Sequence, residues 1–428
     1  MNKASLLLLL LFLSLYCKAQ ENRIESILSE MSGITYEKIK EVDDYSGYML
    51  QLRQPLDHSD TTKGFFRQKV YLSHTSFEKP TVIVTAGYSV NQNYLSEMSR
   101  LLKSNQILVE HRYFGESMPD SLDYHYLNLE QATADLHRVR QLFSSAYANK
   151  WVSTGVSKGG ATTIFYRYFY PNDVDVSVPY VAPINRSYEE PRIYYFLDTI
   201  GTEDCRNKIT AFQVRLLQNR EELIPLLKFY SMGARANYTY LSLGEAFEYA
   251  VMEYPFSFWQ WGSDCKDIPT QTATIQEIAE YFISVSNLAF FSDEEIRQYS
   301  SHYYQSATEM GYYGYETSEF KEYLIDLPTD YNPMALFYPF DMTDEFDGQL
   351  LNDVNLWLKT DGDKFIYIYG GNDTWSASAV PPNDDVDSEW FILKGKHHGN
   401  ARIKSMTPDE QKRLTSTLEK WLSIKIEN

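Results

Sequence analysis

Gly155-Val-Ser157-Lys-Gly159 lies between an apolar run, Lys150 to Ser153, and a helical stretch, Ala161 to Tyr170, that Pro171 ends. A strand that passes into a helix through G-x-S-x-G holds its serine on a tight, strained corner, with the hydroxyl projecting above a sheet. Glycines two before and two after leave room for that backbone, and Gly160 eases the packing beyond it. The start of the helix also favours developing negative charge. At ordinary glycine and serine usage of about 7% each, a chain this long shows the pattern by accident roughly one time in ten. Its setting, and the residues downstream, therefore decide what it means.

From about Arg67 to Asn185, short apolar runs alternate with helical patterns. Thr81 to Thr85, Ile107 to Val109, Trp151 to Ser153 and Val174 to Val181 read as buried strands, and Leu129 to Leu142 carries apolar residues at helical spacing. Strands alternating with helices imply a largely parallel sheet covered on both faces. From about Arg186 to Asp344 helical patterns dominate, as in Ile209 to Leu227 and Ile275 to Leu288. Strand-like runs return at Phe365 to Tyr369 and Trp390 to Leu393, and Thr407, Pro408 and Glu410 form a capping box that starts a last helix. The expected architecture is α/β: an α/β-hydrolase fold whose core spans 20–185 and 345–428, with a helical cap over 186–344 inserted before the late strands.

In this fold the nucleophile is followed by an acid and then a histidine. The acid belongs in the loop after a late strand, and Gly370-Gly-Asn-Asp373 is that loop. The base belongs after the next strand, in Gly395-Lys-His397-His398-Gly399. His398 is preferred to His397 because Gly399 leaves space for a tight turn. A histidine that takes the proton of Ser157 needs its other nitrogen held by a buried carboxylate, which fixes the tautomer and stabilises the imidazolium. Asp361 and Asp363 precede the strand, at its wrong end. Asp384, Asp385 and Asp387 sit in an acidic, solvated loop. His111, His125, His137 and His302 read as surface or core residues. Two backbone N–H groups are needed for an oxyanion: Lys158 supplies one, and Gly87-Tyr88, after Thr81 to Thr85, is best placed for the other, although Gly87 reads equally as a turn glycine.

The first nineteen residues are expected to be a secretory leader: Lys3, the apolar run Leu6 to Leu13, and Cys17-Lys-Ala19 as a processing site. That run is too short to span a bilayer. The alternative is a lipoprotein anchor at Cys17, against which the bulky Tyr16 counts. Cleavage leaves roughly 400 residues, enough for one large domain with an insertion, and two cysteines, Cys205 and Cys265. In an oxidising compartment these are expected to form one bridge, adding up to about 4 kcal/mol in the chain-entropy account. A net charge of −19 without a Lys/Arg cluster argues against nucleic acid as a partner. His-x-Glu and Cys-x-x-Cys spacings and glycine-rich phosphate loops are missing, so no metal or other cofactor is expected. A cleft for peptide chains would use some of the 35 tyrosines.

Val156-Ser-Lys-Gly-Gly-Ala-Thr162, Tyr168-Phe-Tyr-Pro-Asn-Asp-Val-Asp175 and Tyr180-Val-Ala-Pro-Ile-Asn185 resemble the secreted bacterial tripeptidyl aminopeptidases, serine peptidase family thirty-seven of the PS-ten type. Glu110-His-Arg-Tyr-Phe-Gly-Glu-Ser117 is also similar to a motif of lysosomal Pro-X carboxypeptidase and dipeptidyl peptidase two. Ile200 to Cys205, Phe258-Trp-Gln-Trp261 and Tyr304-Gln305 extend the likeness over most of the chain. The resemblance implies release of short peptides from free N-termini beneath a helical cap, with Ser157, Asp373 and His398 on the family's triad positions. Two departures stand out. Thr374 replaces the proline that often follows the acid, and Tyr303 stands where the dipeptidyl peptidase relative places an acid that reads the substrate amine.

An enzyme that releases tripeptides needs a carboxylate at the blind end of its cleft, to pair the ammonium and exclude longer extensions. Glu253 is the first candidate, with Trp259 beside it in the cleft, and Glu309 is the second. The bland reading of each glutamate is a helix surface. The expected function is thus an exported serine exopeptidase, periplasmic or secreted, acting on peptides with a free N-terminus. The alternatives are an esterase or lipase of the same fold, a prolyl-preferring dipeptidyl or carboxypeptidase, and a binding protein that kept the fold without catalysis. Oligomeric state is not legible in the sequence.

Overall fold

The computed structural model describes residues 22–329, 333–337 and 345–426; the expected leader and Cys17 lie outside the described residues. The described residues open with a helix over 22–30, which buries Ile24 and Leu28, and then run through three long strands, β1 (Ile34–Val42), β2 (Tyr45–Pro55) and β3 (Phe65–His74), each antiparallel to the next. Then follow β4 (Thr81–Thr85), β5 (Asn105–Val109), β6 (Trp151–Val156), β7 (Val176–Tyr180), β8 (Ile366–Gly370) and β9 (Glu389–Leu393). All nine form one sheet in the order β1-β2-β3-β5-β4-β6-β7-β8-β9. β3 meets β5 antiparallel, and every pair from β5 to β9 is parallel. This is the α/β-hydrolase fold.

β4, β5, β7 and β8 are buried along their whole length because helices cover both faces. Val82 and Val84 share a core with Met98 of α1 (Glu97–Leu102) and Leu414 of α11 (Pro408–Leu422). Ile83 points the other way and shares a core with Val139 and Phe143 of α2 (Leu129–Phe143). α3 (Lys158–Phe169) follows β6 directly.

β1, β2 and β3 all escape the sequence reading, the first two for different reasons. β1 is a charged edge, with Glu37, Lys38, Lys40 and Glu41 outward, so it carries no apolar run. β2 does alternate, burying Tyr48, Leu50 and Leu52, and its period of two was the missed signal.

Between β7 and β8 the described residues form α4 (Pro191–Thr199), α5 (Glu203–Gln218), α6 (Arg220–Ala234), α7 (Leu243–Trp261), α8 (Ile275–Val285) and α9 (Asp293–Gln305), followed by α10 (Gln349–Thr360). Helices α4–α9 share an apolar core of their own. The single helical pattern read over Ile209 to Leu227 is two helices: the chain breaks at Asn219, whose side chain donates to the Arg215 carbonyl at 2.7 Å. A disulfide joins Cys205, at the start of α5, to Cys265, just past α7, across 60 residues with Cα atoms 5.6 Å apart. No described helix is long and apolar enough to cross a membrane.

Pro255 stands inside α7 and has no N–H to give the Val251 carbonyl. The Gln213 amide of α5 donates to that carbonyl instead, at 2.8 Å. The buried helix thus tolerates its proline with the main chain satisfied.

Candidate active site

Ser157 occupies the corner between β6 and α3 at φ 58° and ψ −126°, a conformation that costs a non-glycine residue strain. Its N–H donates to the Tyr180 carbonyl at 2.9 Å, which anchors the corner to β7. Gly155 is required by close approach: a Cβ there would meet the Gly159 carbonyl oxygen at 2.3 Å. Gly87 is required in the same way, because its Cβ would lie 2.5 Å from the Gly159 nitrogen and 2.7 Å from the Lys158 Cβ. The loop after β4 therefore rests on the first turn of α3, with Gly87 against the main chain of Lys158 and Gly159. Lys158 begins the helix, where an N–H has no carbonyl of its own turn to meet. Glu110 holds this loop from behind, accepting from Val90 N at 2.8 Å and from Ser117 N at 2.9 Å.

Asp373 follows β8 and is fully buried. One carboxylate oxygen accepts from Trp375 N at 3.1 Å and the other lies 2.8 Å from His398 Nδ1. A carboxylate accepts, so the proton of the neutral ring sits on Nδ1 and Nε2 keeps its lone pair. His397 is turned away towards Gly262, at the end of α7. Ser157 and His398 both face one cavity of about 460 Å³, on whose wall Tyr88 and Lys158 also lie.

α7 supplies a wall of that cavity through Glu253, Phe256, Ser257, Gln260 and Trp261, residues spaced three and four apart along one helical face. The same helix holds both loops of the site. His398 N donates to the Gln260 carbonyl at 3.0 Å, and Thr374 Oγ1 donates to the Phe256 carbonyl at 2.8 Å. The Trp261 ring stands edge-on to His398, with centroids 5.7 Å apart.

Glu253 is 5% exposed and is no helix-surface residue. Ser257 Oγ donates to one of its oxygens at 2.8 Å, and the hydroxyls of Tyr313 and Tyr315 donate to the other at 2.8 and 2.9 Å. Burial pushes its carboxyl up to about 7, against the pull of those three hydroxyls.

The other two residues expected in the cleft do not line this cavity. Glu309 accepts from the Leu129 N–H with both oxygens, at 3.0 and 2.9 Å, and so caps the start of α2. Trp259 is packed in the core of α4–α9 with its ring against Gly201. Two positions along a helix are about 200° apart, so Trp259 turns inward where Trp261 faces the cavity. Trp261, and with it Phe256 and Ser257, could have been found by counting three and four from Glu253. Tyr313 and Tyr315 lie on a non-periodic segment with no such signal.

Lys158 itself is buried, with its ammonium 5.7 Å from the Tyr88 ring centroid and 5.2 Å from that of Phe114. Burial pulls it down to about 7, with Glu309 opposing. His302, on the cavity wall, is pulled down to about 3 by burial and by Lys158.

The family described as PS-10 peptidase S37 matches residues 18–427. The chain belongs to that family. It is a serine peptidase. The prolyl tri/tetrapeptidyl aminopeptidase of Streptomyces mobaraensis is 30% identical over 417 residues, covering 95% of this chain and 86% of its own length. The lysosomal Pro-X carboxypeptidase of Mus musculus is also similar, at 30% over 105 residues, 22% of this chain and 21% of that one. The more distant likeness expected from the Glu110 to Ser117 motif is thus present alongside the family match.

Proposed function

We propose that this PS-10 peptidase S37 is an exported aminopeptidase that releases short peptides, tripeptides foremost, from free N-termini by acyl transfer at Ser157. The observation that carries the reading is Glu253: a buried carboxylate on the wall of the same cavity that Ser157 and His398 face. A peptide ammonium entering that cavity finds a charge partner already held by three hydroxyls.

In the proposed mechanism, His398 Nε2 takes the Ser157 proton as Oγ attacks the scissile carbonyl, and Asp373 stabilises the imidazolium. The amides of Lys158 and Tyr88 hold the oxyanion. Collapse breaks the C–N bond, and His398 Nε2 returns the proton to the leaving amine. Water, deprotonated by His398, then frees the peptide acid and restores the serine hydroxyl. Residues 186–344 act as a cap over the core of 20–185 and 345–428, and the leader over 1–19 directs export.

The name of the Streptomyces relative supports tri- and tetrapeptides as products and proline at the cleaved bond. Tyr88, Tyr299 and Tyr303 on the cavity wall would give a pyrrolidine ring aromatic faces to pack on. Turnover of tripeptide anilides is compared with that of acyl esters, in parallel with fluorophosphonate labelling. Preference for the anilides and a label confined to Ser157 support the proposal. Preference for the esters points to an esterase of the same fold, and an unlabelled intact protein would end the enzyme mechanism.

A further inference from the structure

Tyr88 lines two cavities. Besides the one containing Glu253, it borders a second of about 430 Å³ beside the C-terminal ends of β4 and β6. Ser157 faces the first; its neighbour Val156, 42% exposed, faces the second. The main chain of the loop after β4, through Gly87 and Ser89, forms one side, and Tyr94, 44% exposed, adds an apolar surface.

Two charged side chains line this second cavity, Glu97 and Arg402. Glu97 is already used: its oxygens accept from Ile403 N at 2.8 Å and Lys404 N at 2.9 Å, and among the described residues no ion pair joins it to Arg402. Arg402 is half-buried and fixed at one corner only. Its Nη1 donates to the His398 carbonyl at 3.1 Å and to the Ala401 carbonyl at 2.9 Å, and its guanidinium carbon lies 5.8 Å from the Tyr180 ring centroid. Nε and Nη2, the edge of the fork that matches a carboxylate, have no hydrogen-bond partner among the described residues.

We propose that this second cavity receives the leaving part of the substrate and that Arg402 binds its terminal carboxylate when that part is short. The inference rests on Ser157 as nucleophile. With its amine at Glu253 and its scissile carbonyl at Ser157, a chain that passes Tyr88, the residue bordering both cavities, enters this groove, where Arg402 keeps free donors and Glu97 is held by two main-chain amides. A planar guanidinium favours a carboxylate and gains much less from a carboxamide. The enzyme is then tuned to peptide fragments as well as to N-termini.

The test uses the full-length protein with three substrates that share one N-terminal tripeptide: a tetrapeptide acid, its amide, and the tripeptide anilide. For the intact protein the acid is expected to exceed the amide by roughly tenfold in kcat/KM, mostly through KM, the size of one charge-assisted bond. In Arg402→Gln that ratio falls to about one. The ratio is insensitive to any damage passed to His398, which lowers acid, amide and anilide together, and the comparison within the intact protein stands even if the variant does not fold. Anilide turnover with equal rates on acid and amide, or a ratio that survives in Arg402→Gln, overturns the carboxylate site alone. No anilide turnover by the intact protein overturns the nucleophile reading and this inference with it.

Discussion

Thr374 Oγ1 donates to the carbonyl of Phe256 at 2.8 Å, tying the loop that carries Asp373 to the helix that carries Glu253. Thr374 is the residue that departs from the proline often found after the acid, and proline has no group that could make this bond. The departure therefore links the residue that would orient the base to the wall that would read the substrate. Thr374→Val keeps the shape and leaves a buried carbonyl without its donor, a cost of about 1–3 kcal/mol. The melting temperature is expected to fall by a few degrees. Turnover of peptides is expected to fall as well, measured beside the wild type on a tripeptide anilide.

Glu253 gives the proposed activity a distinctive pH profile. Its carboxyl ionises near 7, because burial outweighs its three hydroxyl donors, whereas a substrate amine loses its proton at about 7.7–8.0. Pairing needs the carboxylate and the ammonium together, so kcat/KM for free-amine peptides is expected to rise through pH 7 and to fall above 8, a narrow bell. Glu253→Gln raises KM for tripeptide substrates, while turnover of a simple ester changes little. Equal losses on both substrates would remove Glu253 from amine recognition.

Asp373→Asn replaces an acceptor by a group that also donates, which frees the His398 ring to take the wrong tautomer. The expected loss in kcat is on the order of 10⁴-fold with the fold intact. Steady-state kinetics beside an unchanged circular dichroism spectrum checks it.

Glu309 and Lys158 make stability depend on pH in opposite senses. The Glu309 carboxyl is raised by burial to about 8 from an ordinary 4.5. Between those values the folded protein holds a proton that the unfolded chain has lost, so this group's contribution is complete below 4.5 and disappears as pH rises through 8. Lys158 is lowered by burial to about 7 from 10.5. The unfolded chain then holds the extra proton, so stability rises with pH from 7 to 10.5 and is lost as pH falls through 7. Together they place a shallow minimum near pH 7–8. Thermal unfolding from pH 5 to 10 is expected to show it. Glu309→Gln flattens the acid side and keeps an acceptor for Leu129, and Lys158→Met flattens the alkaline side.

What is legible in the sequence follows from how local each constraint is. The corner at Ser157 announces itself because its strain must be relieved within two residues either way, so Gly155 and Gly159 are fixed by spacing alone. The parallel strands are legible because burial on both faces leaves unbroken apolar runs. The phase of α7 was not: an aromatic-rich helix offers Trp259 and Trp261 alike, and only a partner face decides which one turns to the cavity. Two of the three donors to Glu253 come from residues 313 and 315, about sixty positions further on and outside any periodic segment; only Ser257 lies on its own helix. The role of Thr374 needs Phe256, 118 residues away, to become visible.

The most direct measurement incubates the purified protein with a ten-residue peptide of free N-terminus, its N-acetylated twin, and the Ser157→Ala variant in parallel, with products read by mass spectrometry. Three-residue N-terminal fragments from the free peptide alone, and none from the variant, are the predicted result. Equal cleavage of the acetylated peptide, or undiminished release by Ser157→Ala, would contradict it.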